Sequence, residues 1–327
     1  MEFRKLGNTG LEISGVGFGA WEIAGTDNAS GNLGPADDRQ SVAAIREALS
    51  LGVNWIDTAP GYGCGHSEEV VGRAIGGMRD RPLIFTKCGF VWASDRVMVN
   101  NIEPASIRAE VDASLRRLRI DVIDLYQIHW VEPENDPRIE DAWGTMLELQ
   151  REGKVAHVGV SNFTVGQLER AQAIGAVETL QPPYSLLARE VEADLLPYCG
   201  SHGIGVIVYS PLQTGLLGGS FTRERAESLD ALDARRSDPN FEEPHLSRNL
   251  ERIGHLRRLT DRWGTTVARA AVAWVLRSGV ISAAIVGFRS PEQVDSLLEP
   301  GLPVLTQTEI EEIERIGWLP PDRVVVA

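Results

Sequence analysis

The chain of 327 residues is poor in cysteine, in positive charge and in long apolar runs. Its three cysteines, Cys64, Cys88 and Cys199, are odd in number and far apart, which excludes a disulfide framework. They also lack the C-x-x-C spacing of a zinc or redox motif, so each is read as a small buried filler in a reducing compartment. Lys and Arg total 32 against 46 Asp and Glu, a formal charge of −14. That balance excludes a surface that embraces nucleic acid or anionic membrane as a whole, and leaves a small local anion site open. No stretch approaches the roughly 18 apolar residues of a membrane span. Met1-Glu2-Phe3-Arg4-Lys5-Leu6-Gly7 has mixed charge where a signal peptide needs an apolar run, so a cytoplasmic protein is expected.

What is present is an alternation. Short apolar runs at residues 16–18, 53–57, 83–87, 122–128, 155–160, 177–180, 205–209 and 283–286 are separated by longer amphipathic stretches. Helices are expected over 39–51, 68–77, 103–118, 138–152, 164–174, 190–201 and 266–277, with Pro104 in a first turn and Thr164 as a cap. Continuously apolar strands alternating with helices point to a parallel sheet covered on both faces. Eight such units predict an α/β fold, a closed (β/α)8 TIM barrel formed by residues 1–327 as a single domain. Residues 3–6 and 11–14, joined by Gly7-Asn8-Thr9-Gly10, predict an N-terminal β-hairpin that plugs the barrel's bottom. Residues 91–103 and 221–246 are read as long surface loops over the face where the strands end.

In such barrels the reacting groups stand at the C-terminal ends of the strands. The polar residues there are Asp57, Lys87 and His129, with Tyr62 five residues past Asp57 in the turn Thr58-Ala59-Pro60-Gly61-Tyr62-Gly63. Taken singly, an Asp caps a helix, a Lys is solvated and a His sits satisfied in a core. Their placement at three successive strand ends favours one shared mouth. No cluster of His, Glu and Asp has the spacing of a metal site, and no metal is expected.

At these residues the sequence resembles the aldo-keto reductase superfamily, most closely the bacterial branch related to potassium-channel β subunits. The resemblance rests on Asn54-Trp55-Ile56-Asp57-Thr58-Ala59-Pro60-Gly61-Tyr62-Gly63, on Phe85-Thr86-Lys87 and on Asp121-Val122-Ile123-Asp124-Leu125-Tyr126-Gln127-Ile128-His129. It continues through Val158-Gly159-Val160-Ser161-Asn162-Phe163 and Tyr209-Ser210-Pro211-Leu212-Gln213-Thr214-Gly215-Leu216-Leu217-Gly218. It implies an NADP(H)-dependent oxidoreductase, with NAD(H) the alternative cofactor, that reduces an aldehyde or ketone reversibly. Tyr62 would be the proton donor, Lys87 the ammonium that lowers the phenol's pKa, Asp57 the partner of Lys87, and His129 a hydrogen-bond donor to the substrate oxygen.

The same resemblance implies the cofactor residues. Ser161, Asn162 and Gln181 would hold the carboxamide, Tyr209 would stack on the nicotinamide, and Gly19, Ala20 and Trp21 would border it beside Asp57. Ser210, Pro211, Leu212, Gln213, Gly215, Leu216 and Gly218 would wrap the pyrophosphate, and Gly287, Arg289 and Gln293 the adenosine end, with Arg289 toward a 2′-phosphate. Asp295-Ser296-Leu297 departs from the Glu-Asn that many relatives carry. Trp21, Tyr62, Phe90, Trp92, His129 and Trp130 are expected to wall the substrate pocket, which suits a small carbonyl or alcohol with an apolar body. The alternative is a nicotinamide-binding regulatory or redox-sensing subunit with vestigial catalysis. Neither nucleic acid nor a membrane is expected as a partner.

Overall fold

The structure is a computed structural model that describes residues 1–25, 35–93, 96–132, 136–231 and 233–318. Residues 94–95 of one expected loop and 232 of the other lie outside the described residues. A hairpin of β1 (Phe3–Lys5) and β2 (Glu12–Ser14) comes first, then β3 (Val16–Gly19), α1 (Asp38–Ser50), β4 (Trp55–Asp57), α2 (His66–Ile75) and β5 (Leu83–Cys88). A second hairpin, β6 (Phe90–Trp92) and β7 (Met98–Asn100), precedes α3 (Pro104–Leu118). The chain continues through β8 (Ile123–Ile128), α4 (Ile139–Arg151), β9 (Val155–Ser161), α5 (Val165–Ile174), β10 (Thr179–Gln181), α6 (Leu195–His202) and β11 (Gly205–Val208). It ends with α7 (Arg223–Glu227), α8 (His245–Trp263), α9 (Val267–Val275), β12 (Ile281–Gly287), α10 (Pro291–Leu298) and α11 (Gln307–Glu314).

Strands β3, β4, β5, β8, β9, β10, β11 and β12 close into a barrel in that order, with β12 returning to β3, and every pair is parallel. This is the expected (β/α)8 architecture. The register aligns the strand ends: Gly19 pairs with Asp57, Asp57 with Phe85, Lys87 with Gln127, and Gln181 with Ser161. Because side chains alternate along a strand, inward positions stack in layers. Trp55, Phe85, Leu125, Ile207 and Ala283 form an apolar floor that Leu6 and Ile13 of the first hairpin close from below. The hairpin is fastened by the Trp55 indole N–H donating to the Ser14 carbonyl at 2.9 Å. Gly7 lies so close to the backbone of Gly205 that a side chain there would meet it at 2.2 Å. Asp57, Lys87, Gln127 and Gln181, two residues on from that floor or at the next strand end, make the polar layer above it.

Several elements differ from the sequence reading. Residues 190–201 are not one helix: a single turn at Glu190–Glu192 ends before Asp194, whose side chain accepts from the Leu195 amide and restarts the helix. The expected loop at 91–103 contains the hairpin β6–β7. The expected loop at 221–246 carries α7 and two further single turns, and it buries Phe221, Phe241 and Leu246. Helix α8 was not anticipated, although Leu246, Asn249, Ile253, Leu256 and Thr260 recur at helical spacing and are its buried face.

Candidate active site

Lys87 organises the mouth of the barrel. It is fully buried at the end of β5, and a buried ammonium must place its three hydrogens on acceptors. It has three: Asp57 Oδ1 at 2.6 Å, the Thr58 carbonyl at 3.0 Å and the Tyr62 hydroxyl oxygen at 3.2 Å. The remaining oxygen of Asp57 accepts from Gln181 Nε2 at 2.8 Å, so the carboxylate is shared between β4, β5 and β10. The turn after β4 brings Tyr62 back over Lys87 through Gly63 and Gly65, both at positive φ. A side chain at Gly63 would strike the Ala24 carbonyl at 2.5 Å.

His129 stands one residue past β8, its ring edge-on to Tyr62 at 5.7 Å and to Phe90 at 5.1 Å between centroids. The four residues read from the strand ends therefore converge. Burial, followed by repulsion from the Lys87 ammonium, holds the His129 imidazole well below its usual range, so the ring is neutral near pH 7. Burial also lowers the Lys87 ammonium, against the Asp57 carboxylate that supports it. The phenol of Tyr62 corrects the sequence expectation. Burial, then the Asp57 and Glu22 carboxylates, raise it well above the ordinary phenol range. Asp57 is what offsets the ammonium: at 2.6 Å it neutralises the charge that would otherwise favour phenolate.

A cavity of about 720 Å³ opens above this cluster, within the size range of small-molecule sites. One end is walled by Trp21, Tyr62, Phe90, Met98, His129 and Trp130. The groove then runs past Gly19, Ala20, Asp57, Ser161, Asn162, Gln181 and Tyr209 to Ser210, Pro211, Leu212, Gly215 and Gly218. It ends at Gly287, Arg289 and Gln293. The Tyr209 hydroxyl donates to Asn162 Oδ1 at 2.9 Å, and Asn162 Nδ2 donates to the His129 carbonyl at 3.1 Å, which ties three strand ends together. Ser161 Oγ donates to the Gln181 carbonyl at 2.7 Å. At the far end the Arg289 amide donates to Gln293 Oε1 at 2.8 Å, and its guanidinium reaches the Pro35 carbonyl.

Three expected residues turn away. Trp92 lies two residues, roughly 6.6 Å, beyond Phe90 along a strand that leaves the barrel, and it meets the Arg117 guanidinium at 5.8 Å instead of the cavity. Gln213 bridges Ser185 and Asp238, and Leu216 is buried in the core, so neither side chain lines the groove. Sequence reasoning did not single out Glu22, Met98, Thr214, Phe221, Arg225, Arg235 or Ser296, all of which line it. Thr214 lies within the 210–218 segment that the resemblance gives to the pyrophosphate and Ser296 within its departure from the family pattern; the others sit in loops or in elements too short for periodicity to show.

The groove suits a dinucleotide on two observations. Ser210, Gln213, Thr214 and Gly215 all adopt positive φ, a turn that exposes backbone to a ligand at close range, and a Cβ at Gly215 or Gly218 would meet open space. Thr214 also lines the groove, and its hydroxyl is a buried polar atom with no hydrogen-bond partner in the protein, which a ligand settling against this turn would have reason to engage.

Known proteins are similar to this chain along nearly its whole length. Aldo-keto reductase YhdN of Bacillus subtilis is 39% identical over 302 residues, covering 91% of this chain and 88% of its own. The NADH-specific methylglyoxal reductase of Escherichia coli is 37% identical over 302 residues, covering 88% and 90%. The structure of glycerol dehydrogenase AKR11B4 from Gluconobacter oxydans superposes with a TM-score of 0.87 at 33% identity, covering 99% of both chains. The Aldo/keto reductase family profile matches residues 15–317, a span that holds every barrel strand and the whole Lys87 cluster. The chain belongs to the aldo/keto reductase family.

Proposed function

We propose that this oxidoreductase reduces an aldehyde or ketone with NADPH, that Tyr62 gives the proton to the carbonyl oxygen, and that the reaction runs in reverse when Tyr62 takes it back. The observation that carries this reading is the hydrogen-bond direction at Lys87. Its ammonium donates to the Tyr62 oxygen, so the phenol's own hydrogen is left for an acceptor in the cavity. A phenol raised by burial stays protonated across the neutral range, the state a proton donor requires. His129, neutral and edge-on to Tyr62, has a ring nitrogen to offer the same carbonyl oxygen, orienting it and stabilising the charge that develops there. Asp57 holds Lys87 protonated and in place, and Gln181 holds Asp57.

The reduced nicotinamide, when bound, supplies the hydride. Ser161, Asn162 and Gln181 would hold its carboxamide, Tyr209 would lie against its ring, and the groove-lining residues of 210–218 would cradle the phosphates, a reading supported by their lining one cavity. Arg289 favours NADPH through a 2′-phosphate, whereas the E. coli relative is described as NADH-specific, so both cofactors belong in the test. The walls Trp21, Phe90, Met98 and Trp130 favour a carbonyl on an apolar body. A cytoplasmic setting agrees with an odd number of widely spaced cysteines.

A panel of aldehydes and ketones, followed at the absorbance band of reduced nicotinamide with NADPH and then NADH, tests the proposal. Turnover of at least one carbonyl, faster with NADPH at equal concentration, is expected. Tight binding of the dinucleotide with no oxidation by any carbonyl would favour the regulatory, vestigial alternative.

A further inference from the structure

Two carboxylates line the cavity among the described residues, and only one belongs to the Lys87 cluster. The other is Glu22, immediately after Trp21. Its carboxylate sits on Gly287 at the end of β12: a Cβ there would fall 1.8 Å from the carboxylate carbon and from one oxygen, and 2.0 Å from the other. Glu22 thus fills the space that a side chain at position 287 would take. It lines the same cavity as Ser210, Pro211, Leu212, Thr214, Gly215 and Gly218, with the Arg289 charge near enough to act on it.

We propose, building on the dinucleotide reading above, that Glu22 sets the pH range over which the cofactor binds, taking up a proton as the ligand's pyrophosphate enters the groove beside it. The ligand brings permanent negative charge into a space that already holds this carboxylate. In a low-dielectric cleft two anions at close range repel strongly, and protonating the carboxylate relieves the repulsion. Burial already pushes the Glu22 carboxyl up to about 7, against its own backbone amide and the Arg289 charge that favour the anion. The proton is therefore exchangeable in the neutral range.

The sign follows. Well below pH 7 Glu22 is neutral and affinity is insensitive to pH. Above it the complex must draw a proton from solvent, and affinity falls by up to about tenfold per pH unit until the complex itself deprotonates. Among the described residues, the other charged or titratable groups of the cavity near Glu22 behave differently. Arg225, Arg235 and Arg289 are the cavity's cations, burial raises the Tyr62 and Tyr209 phenols above their ordinary range, and the His129 imidazole is held neutral. Asp57 is paired with Lys87, and this pair is present in any Glu22 variant.

The test measures Kd for NADH by quenching of tryptophan fluorescence from about pH 5.5 to about pH 9, on wild type, Glu22→Gln and Glu22→Ala. NADH is the probe because the 2′-phosphate of NADPH titrates on its own near pH ~6. Calorimetry in two buffers of different ionisation enthalpy counts the protons taken up. The wild type is expected to lose about tenfold or more in affinity between roughly pH 6.5 and roughly pH 8.5, with a fractional proton taken up near pH 8. Both variants are expected to bind with a flat profile, to take up no proton and to bind more tightly than wild type at the alkaline end. A slope retained in both variants would overturn the proposal. So would uniformly weaker binding at every pH, which would make Glu22 a hydrogen-bond acceptor for the sugar instead. Failure of the wild type to bind either dinucleotide would overturn the cofactor reading itself, which is a separate result.

Discussion

Lys87 has no spare hydrogen, and that governs what single substitutions and pH can do. Losing a proton leaves two hydrogens for three acceptors and removes the charge that pairs with Asp57, and burial makes that loss occur at lower pH than for a free lysine. The turnover number for carbonyl reduction, measured at saturating cofactor, should be level from about pH 6 to about pH 8 and fall on the alkaline side. A tenfold rise across that interval would assign the titration to a group other than Lys87. Arg289 answers for the cofactor at the opposite end of the groove. Arg289→Ala should weaken NADPH about tenfold or more, some 1.4 kcal/mol, and NADH by less than about threefold. Equal weakening of both would remove Arg289 from the 2′-phosphate. Asp57, Lys87 and His129 were legible because each ends or follows an apolar strand run, and Tyr62 because it lies in the turn after the first of them. Glu22 was not, since a loop has no period and its significance lies in what it approaches.

Strands and helices transmit that placement. Asn162, at φ 60°, sits between the end of β9 and the cap of α5, where Thr164 and Gln167 form a reciprocal capping box. Thr164→Ala should cost about 1 kcal/mol of stability in denaturant unfolding. It should also loosen cofactor binding, because Asn162, two residues upstream of Thr164, links Tyr209 to the His129 carbonyl. A variant as stable as wild type would show that the cap is not what holds this corner. Thr164 was legible because a capping residue precedes an amphipathic run. The restart at Asp194 was not, because a side chain bonding its neighbour's amide leaves no periodic trace. The β6–β7 hairpin was hidden for a related reason: its strands are three residues each, too short for alternation to stand out.

At the scale of the molecule, the barrel separates holding from reacting. The floor of Trp55, Phe85 and Leu125, closed by Leu6 and Ile13, keeps water from the underside of Lys87 and so makes its hydrogen bonds directional and strong. The groove across β9 to β12 is lined by residues distinct from Tyr62 and His129. Eight apolar runs sufficed to predict the closed cylinder, since such runs have few other ways to be covered on both faces. The rim did not follow from them, because segments such as 90–100 and 221–241 take their shape from contacts with the finished barrel. The central claim is that Tyr62 supplies the proton and contributes little to holding the dinucleotide. Tyr62→Phe, with Kd for NADPH and the single-turnover rate of carbonyl reduction measured on the same preparation, tests it most directly. The account predicts a Kd within about threefold of wild type and a rate lower by about 100-fold or more. An unchanged rate, or a loss carried entirely by cofactor affinity, would contradict it.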